Sequence, residues 1–179
     1  LHYSNIHTGI MQEVLKKYDN FSKEYFSNRE KNSHFYDELF NNAYEYLGEI
    51  MNHFKNLGFN EDTLLVIISD HGISIGEKFG ECAYGAFCYD YTVKTFAYLY
   101  NSDTKPQIIS SQVRHIDFMP TILDILNIEI ESSFEKLDGE SLIPLIKGEN
   151  HAEKLAFSET GNPLNEKAPP KEPNTKSIR

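Results

Sequence analysis

The stretch Thr-Leu-Leu-Val-Ile-Ile-Ser-Asp-His-Gly at residues 63–72 decides how the rest of the chain is interpreted. It opens with an unbroken run of apolar or β-branched residues, a pattern typical of a strand buried on both faces in a parallel sheet. The run ends in Asp70 and His71, and open α/β sheets bind ligands beyond the carboxyl ends of their strands. Gly72 permits the turn that lets both side chains reach one ion. A helix-capping aspartate followed by a surface histidine is the structural alternative.

The composition predicts a globular domain and excludes two classes of partner. The chain has 179 residues, of which 40% are hydrophobic and 13% aromatic. Its net charge of -10 and its pI near 5.1 leave no basic stripe for a phosphate backbone. No apolar run reaches the roughly 18 residues of a membrane span. We therefore expect no nucleic-acid partner and no membrane span in this chain.

Cysteine usage indicates neither a disulfide framework nor a zinc site. Cys82 and Cys88 are too few for such a framework, and no histidine partner stands at zinc-ligand spacing. Two free thiols are expected, and one bridge between them is the alternative.

Upstream of the central strand the sequence predicts helices. Residues 33–57 place apolar side chains at spacings of three and four, which predicts a helix covering the sheet. Ser33 can cap its start, and Gly58 is a typical C-terminal residue. Residues 1–9 have the pattern of a strand that turns at Thr8-Gly9, and residues 11–18 have a helical pattern.

Downstream of the strand, glycines and short apolar runs predict a loop followed by alternating elements. We expect a glycine-spaced loop at 73–90, strands at 93–100 and 155–159, and helices at 116–126 and 141–146. From residue 161 the composition shifts to Asn, Pro, Lys and Glu. The predicted domain therefore spans residues 1–160, and residues 161–179 form an extended or flexible tail.

Four blocks occur in one order along the chain. They are His-Tyr-x-x-x-His-Thr at 2–8, Asp-Thr-Leu-x-x-x-x-Ser-Asp-His-Gly at 62–72 with Gly-Glu at 76–77, His-Ile-Asp-x-x-Pro-Thr-Ile-Leu-Asp-x-Leu at 115–126, and Asp-Gly-x-Ser-Leu-x-Pro-Leu-x-x-Gly at 138–148. Together they resemble the sulfatase branch of the alkaline-phosphatase-like superfamily. The resemblance implies an α/β fold, an alkaline-phosphatase-like sandwich with a mainly parallel sheet covered by helices. This chain would be its C-terminal part.

The same resemblance implies site residues and a cofactor. Asp70 and His71 would supply part of a divalent metal site, whose ion neutralises charge on sulfate or phosphate oxygens. Calcium is the first choice, and magnesium, manganese and zinc are alternatives. His7 would be a catalytic residue, acting as hydrogen-bond donor or general acid near the ester oxygen.

Several positions depart from the family pattern. Gly9 stands where the family usually has proline. Tyr84 lies near the place of a family lysine, and Lys78 replaces a histidine after Gly-Glu. Lys78 could contact an anion, although a solvated lysine is the better interpretation. His115 would start a helix that supports the sheet rather than take part in chemistry.

The resemblance implies a hydrolase of sulfate esters, with a small molecule or a glycan as substrate. Neither cysteine lies in the Cys/Ser-x-Pro-x-Arg setting of a sulfatase nucleophile. We expect that nucleophile to precede residue 1, so that the isolated chain is inactive. Two alternatives stay open. One is a phosphoryl-transfer enzyme of the same superfamily, a phosphoethanolamine transferase or a phosphonate or phosphate ester hydrolase. The other is a non-catalytic binding domain on this scaffold.

Overall fold

The computed structural model describes residues 2–59, 62–101, 105–131, 136–149, 152–161 and 175–179. The chain divides into two compact units. The first comprises Leu1–Thr104 with Ser158–Ser177, and the second comprises Lys105–Phe157 with Ile178–Arg179. In chain order the elements are α1 (Asn5–Ile10), a π-helical segment (Met11–Leu15), α2 (Lys23–Ser27), α3 (Arg29–Asn56), β1 (Leu65–Ile68), α4 (Asp90–Val93), β2 (Ala97–Tyr100), a 3₁₀ turn (His115–Asp117), α5 (Phe118–Ile125), α6 (Ile143–Ile146), β3 (Phe157–Thr160) and β4 (Thr175–Ile178).

The central strand forms where the sequence predicts it, but its neighbour runs the other way. β1 pairs with β2 in antiparallel register, with Leu65 opposite Tyr100 and Ile68 opposite Ala97. Its side chains are only partly buried, and Ile68 is 47% exposed. For this pair the prediction of a parallel strand buried on both faces is wrong. A continuous apolar run does not encode the direction of its partner strand.

The N-terminal segment is helical rather than extended. α1 includes His7 and Gly9, which the sequence had suggested were a strand end and a turn. Ile6 and Ile10 lie one helical turn apart and join the core side of the helix. A Cβ on Gly9 would approach within 2.7 Å of the Leu39 side chain. The glycine therefore allows α1 to pack closely on α3 and does not form a turn.

The long helix α3 ends as the sequence predicts. The amides of Gly58 and Phe59 donate to the carbonyls of Lys55 and Phe54, and Gly58 has a φ of 79°. This is a Schellman motif, and the Phe54 and Phe59 rings pack at 5.8 Å between centroids. At its other end the helix begins at Arg29, four residues before the predicted cap Ser33.

The core of the first unit lies between helices and the loop after β1. Its buried members come from α1, the π-helical segment, α2 and that loop, and they are Ile10, Val14, Tyr25, Ile73, Cys82 and Ala83. Phe35, Tyr36 and Leu39 of α3 pack against them while staying partly exposed. The principal contacts of α3 are with α1 and α2. Among the described residues, the helix therefore packs mainly on other helices, where the sequence predicts that it covers the sheet.

The second unit is organised around α5. The helix predicted at 116–126 is present as α5; it follows Asp117, and Asn127 comes after its end with a positive φ of 52°. Gly148 follows α6 with a φ of 74°. Thr121 and Leu142 are buried, and the Leu142 amide donates to the Thr121 hydroxyl at 2.9 Å.

Three further predictions concern the cysteines, the C-terminal tail and membrane spans. Both cysteines are free thiols, Cys82 buried and Cys88 partly exposed. Of the tail, residues 162–174 lie outside the described part of the chain, and Thr175–Ile178 forms β4 beside β3. Within the described residues, no helix combines the length and apolar character needed to cross a bilayer.

Candidate metal centre

The backbone that carries Asp70 and His71 is fixed by hydrogen bonds beyond the end of β1. The Ser69 amide donates to the Phe96 carbonyl at 3.2 Å, and the Phe96 amide donates to the Ser69 hydroxyl at the same distance. Gly72 then donates its amide to the Thr92 carbonyl at 2.9 Å. The strand end is thus held on both sides of the two candidate ligands.

The hydrogen bonding of His71 determines which ring nitrogen is free. Its Nδ1 lies 2.8 Å from the Gly72 carbonyl oxygen. A carbonyl oxygen can only accept, so Nδ1 carries the proton and donates. In the neutral ring Nε2 then keeps its lone pair, which is the state that a metal ligand requires.

The Asp70 carboxylate lies close to His71 Nε2. Its Oδ1 accepts the His71 amide at 2.9 Å, and its Oδ2 lies 3.7 Å from His71 Nε2. The Asp70 side chain is 82% exposed and that of His71 is 32% exposed. With a neutral imidazole two acceptor atoms therefore face one another, and a shared cation would stabilise that arrangement.

The two donors fit part of a divalent site. Bonds of roughly 2.0–2.6 Å from one ion can span two donor atoms 3.7 Å apart. Carboxylate oxygen suits calcium, magnesium and manganese, and imidazole nitrogen also accommodates zinc. Within the described residues, no group of three or more His, Cys, Asp or Glu side chains could hold an ion. Asp70 and His71 thus satisfy only part of a coordination shell.

Tyr84 brings His7 next to this pair. Its ring packs on the His71 imidazole with centroids 4.2 Å apart, and its hydroxyl lies 3.2 Å from His7 Nδ1. Burial, and secondly the charge of Asp70, raises the pKa of the Tyr84 hydroxyl above its ordinary value of 10.0. The group therefore stays protonated at neutral pH. Tyr84 thus contacts both His7 and His71, and Asp70 lies beside His71. In the sequence, Tyr84 is noted only as the residue near the place of the family lysine.

The remaining candidates lie in other settings. The Lys78 ammonium sits 4.2 Å above the Tyr89 ring centroid, which engages it in a cation–π contact. His115 is exposed at the start of the 3₁₀ turn and packs against Phe118. Burial raises the pKa of the Cys82 thiol to about 12, so that it is not a thiolate nucleophile at neutral pH. Three other histidines, His2, His34 and His53, are exposed, and His151 lies outside the described residues.

Replacing Gly72 by alanine tests how tightly this strand end is packed. The new Cβ would collide with the Tyr91 carbonyl oxygen, a backbone atom that cannot rotate away. We expect the free energy of unfolding to fall by about 1–3 kcal/mol, the usual cost of overpacking. Gly48→Ala is the matched control, because nothing lies within 4 Å of that position in α3. Urea denaturation measures the free energy of unfolding of both variants. If Gly72→Ala is as stable as Gly48→Ala, the close approach of the Tyr91 carbonyl oxygen to position 72 is contradicted.

Comparison with known proteins identifies relatives of this chain. The family model described as Sulfatase matches residues 1–128. Among curated proteins, the extracellular sulfatase SULF-1 homolog of Drosophila melanogaster is 28% identical over 104 residues, covering 58% of this chain and 9% of that protein.

Two solved structures share the fold. The phosphonate monoester hydrolase of Silicibacter pomeroyi is 31% identical with a TM-score of 0.57, covering 65% of this chain and 23% of its own. BT4656, solved in complex with its substrate D-glucosamine-2-N,6-O-disulfate, is 21% identical with a TM-score of 0.60 over 75% of this chain and 27% of its own. The chain thus spans about a quarter of each solved relative.

Proposed function

The chain belongs to the sulfatase family of the alkaline-phosphatase-like superfamily, and from that premise we propose that Asp70 and His71 contribute to the divalent metal site of an ester hydrolase. The observation that carries the proposal is the pair of acceptor atoms, Asp70 Oδ2 and His71 Nε2, 3.7 Å apart at the solvent-facing end of β1. Calcium is the first choice of ion, with magnesium, manganese and zinc as alternatives. When bound, the ion would supply charge neutralisation at the sulfate or phosphate oxygens.

Residues of this chain orient the two ligands and supply a hydrogen-bond donor in the proposed site. The Gly72 carbonyl holds the proton on His71 Nδ1, so that Nε2 would be free to bind the ion. Asp70 keeps Oδ2 available because the His71 amide engages Oδ1. His7 is exposed on α1 beside Tyr84, where it can donate a hydrogen bond to an ester oxygen.

The substrate that we propose is a sulfate ester, on a small molecule or a glycan. The sulfatase model over residues 1–128 and the sulfated sugar bound by BT4656 support it. The second candidate is a phosphonate or phosphate ester. It is favoured by the 31% identity to the phosphonate monoester hydrolase, which exceeds the 21% identity to BT4656.

Metal content and turnover of the full-length protein test the proposal. We expect a stoichiometric divalent ion, and hydrolysis of 4-nitrophenyl sulfate that a chelator abolishes and the ion restores. Faster turnover of phenyl phosphonate esters would favour the second candidate. A protein that binds no divalent ion and hydrolyses neither ester would instead be a non-catalytic binding domain, and the proposal would be lost.

Residues 1–179 by themselves are expected to give no ester turnover. They contain no Cys/Ser-x-Pro-x-Arg segment, and the Cys82 thiol is buried. A partial metal site without a nucleophile cannot form a covalent intermediate. The assay compares the isolated chain with the full-length protein at equal concentration. Turnover by the isolated chain that Asp70→Ala removes would contradict this prediction.

A further inference from the structure

Tyr84 contacts both histidines of the candidate site. Its ring lies against His71, and its hydroxyl reaches His7 Nδ1 at 3.2 Å. The same hydroxyl lies 3.8 Å from the Met11 sulfur. A thioether sulfur is a weak acceptor and an unprotonated imidazole nitrogen is a strong one. We therefore expect the Tyr84 hydroxyl to donate its hydrogen bond to His7 Nδ1 rather than to the Met11 sulfur.

The backbone around Tyr84 adopts a conformation that needs support. Ala83 has a φ of 64° and Gly85 a φ of 88°. Glycine adopts such values freely, but a buried alanine does so at a cost, and such residues cluster at functional sites. Ala83 is completely buried. Tyr84 is thus presented from a tight reversal flanked by two left-handed residues.

Buried hydrogen bonds keep this reversal in place. The Ser74 amide donates to the Ala83 carbonyl at 2.5 Å. The Glu81 side chain is fully buried, and its Oε1 accepts the amides of Ala86 and Phe87, each at 3.0 Å. A buried carboxylate costs free energy unless it is hydrogen-bonded. The loop must therefore keep the conformation in which the two amides reach Glu81. The backbone that presents Tyr84 is thus held by hydrogen bonds within the protein.

We propose that Tyr84 is a positioning residue with two separable functions, an inference that rests on the proposed ester-hydrolase function. Its hydroxyl donates to His7 Nδ1, which places the His7 proton on Nε2 and makes that nitrogen the one able to donate to an ester oxygen. Its ring packs on His71 and restricts the orientation of the imidazole toward the ion. The hydroxyl therefore acts on turnover, and the ring acts on metal affinity.

Two substitutions in the full-length protein separate these functions. Tyr84→Phe keeps the ring and removes the hydroxyl. We expect kcat to fall about 10- to 100-fold with little change in KM or in the Kd for Ca²⁺. Tyr84→Leu also removes the ring, and we expect the Kd for Ca²⁺ to rise about 10- to 100-fold. Tyr44→Phe, on an exposed side chain of α3, is the matched control.

The tautomer of His7 provides a readout that does not depend on activity. Nitrogen-15 NMR at a pH of about 8.5, above the ordinary titration range of histidine, distinguishes protonated from unprotonated ring nitrogens. We expect His7 to be protonated on Nε2 in the unmodified protein and to become a mixture in Tyr84→Phe, while Tyr44→Phe leaves it unchanged.

The outcomes distinguish this inference from the proposed function. If Asp70→Ala abolishes turnover while Tyr84→Phe changes neither the His7 tautomer nor kcat, the role of the hydroxyl is overturned and the metal site stands. If Tyr84→Leu binds Ca²⁺ as tightly as the unmodified protein, the role of the ring is overturned. If Asp70→Ala has no effect on turnover, the proposed function fails, and the positioning role of Tyr84 fails with it whatever the tautomer.

Discussion

Replacing either Asp70 or His71 by alanine in the full-length protein is expected to lower kcat/KM by at least about 10³-fold, equivalent to roughly 4 kcal/mol of transition-state stabilisation. Each substitution removes one of the two donors that converge at the end of β1, and the remaining donor has no second partner at that point among the described side chains. The divalent ion should be lost in the same variants. Elemental analysis and Ca²⁺ titration calorimetry measure that loss independently of turnover.

Matched variants separate loss of the ion from loss of the fold. Asp37 and His34 are exposed on α3, so Asp37→Ala and His34→Ala should retain metal content and activity. Unfolding midpoints of all four variants, measured with a chelator so that none carries the ion, should agree closely, because Asp70 is exposed and His71 is only partly buried. Full metal occupancy in His71→Ala would contradict the proposed ligand set.

Replacing Asp117 by alanine is expected to lower the free energy of unfolding of the second unit by about 3–5 kcal/mol. The Asp117 side chain is 4% exposed and accepts two hydrogen bonds from the Arg114 guanidinium, at 3.1 Å and 2.8 Å. It also accepts the amides of Arg114 and Glu140, at 2.9 Å and 3.1 Å. The substitution leaves these donors without their acceptor and leaves the guanidinium, 19% exposed, without its counter-charge.

The same carboxylate should make the second unit sensitive to acid. Burial raises the pKa of Asp117, but the Arg114 side chain, the Glu140 and Arg114 amides and the guanidinium charge outweigh it. The pKa therefore lies below its ordinary value of 3.8. A lowered folded-state pKa contributes stability above the unfolded-state value, and that contribution is lost as the pH falls through the folded-state pKa. Asp117→Ala should lack this part of the acid transition.

Urea denaturation and hydrogen exchange of the α5 amides measure both effects. Asp138→Ala is the control, because Asp138 is exposed in the same unit. A loss below about 1 kcal/mol for Asp117→Ala, or an unchanged acid transition, would show that the Arg114 pair contributes no more than a surface ion pair does.

Local patterns predicted much of the secondary structure. The spacing of apolar residues identified the body of α3, and Gly58 marked its end because a Schellman motif favours a residue without Cβ. The same reasoning predicted a helix at 116–126, and α5 spans Phe118–Ile125. These features depend on residues within one helical turn of each other, which is why a single sequence contains them.

Contacts distant in sequence explain the errors. The N-terminal segment is a helix because α3 offers a surface against which Ile6, Gly9 and Ile10 pack, and nothing within residues 2–9 indicates that partner. The antiparallel neighbour of β1 lies about thirty residues downstream, and the apolar run does not state its direction. Tyr84 was missed as a site residue because its role depends on contacts with His7 and His71, and on the left-handed conformation of Ala83.

The sequence by itself determined the family, the position of the candidate ligands at the end of a strand and the existence of the main helices. All three follow from residue order and local periodicity. Only the tertiary structure decided that His7 meets the strand end through Tyr84, that His71 Nε2 is the nitrogen left for an ion, and that Asp117 is a buried ion-pair acceptor. The physical reason is that hydrogen-bond geometry and burial arise from side chains many residues apart, and their distances are set only when the chain is packed.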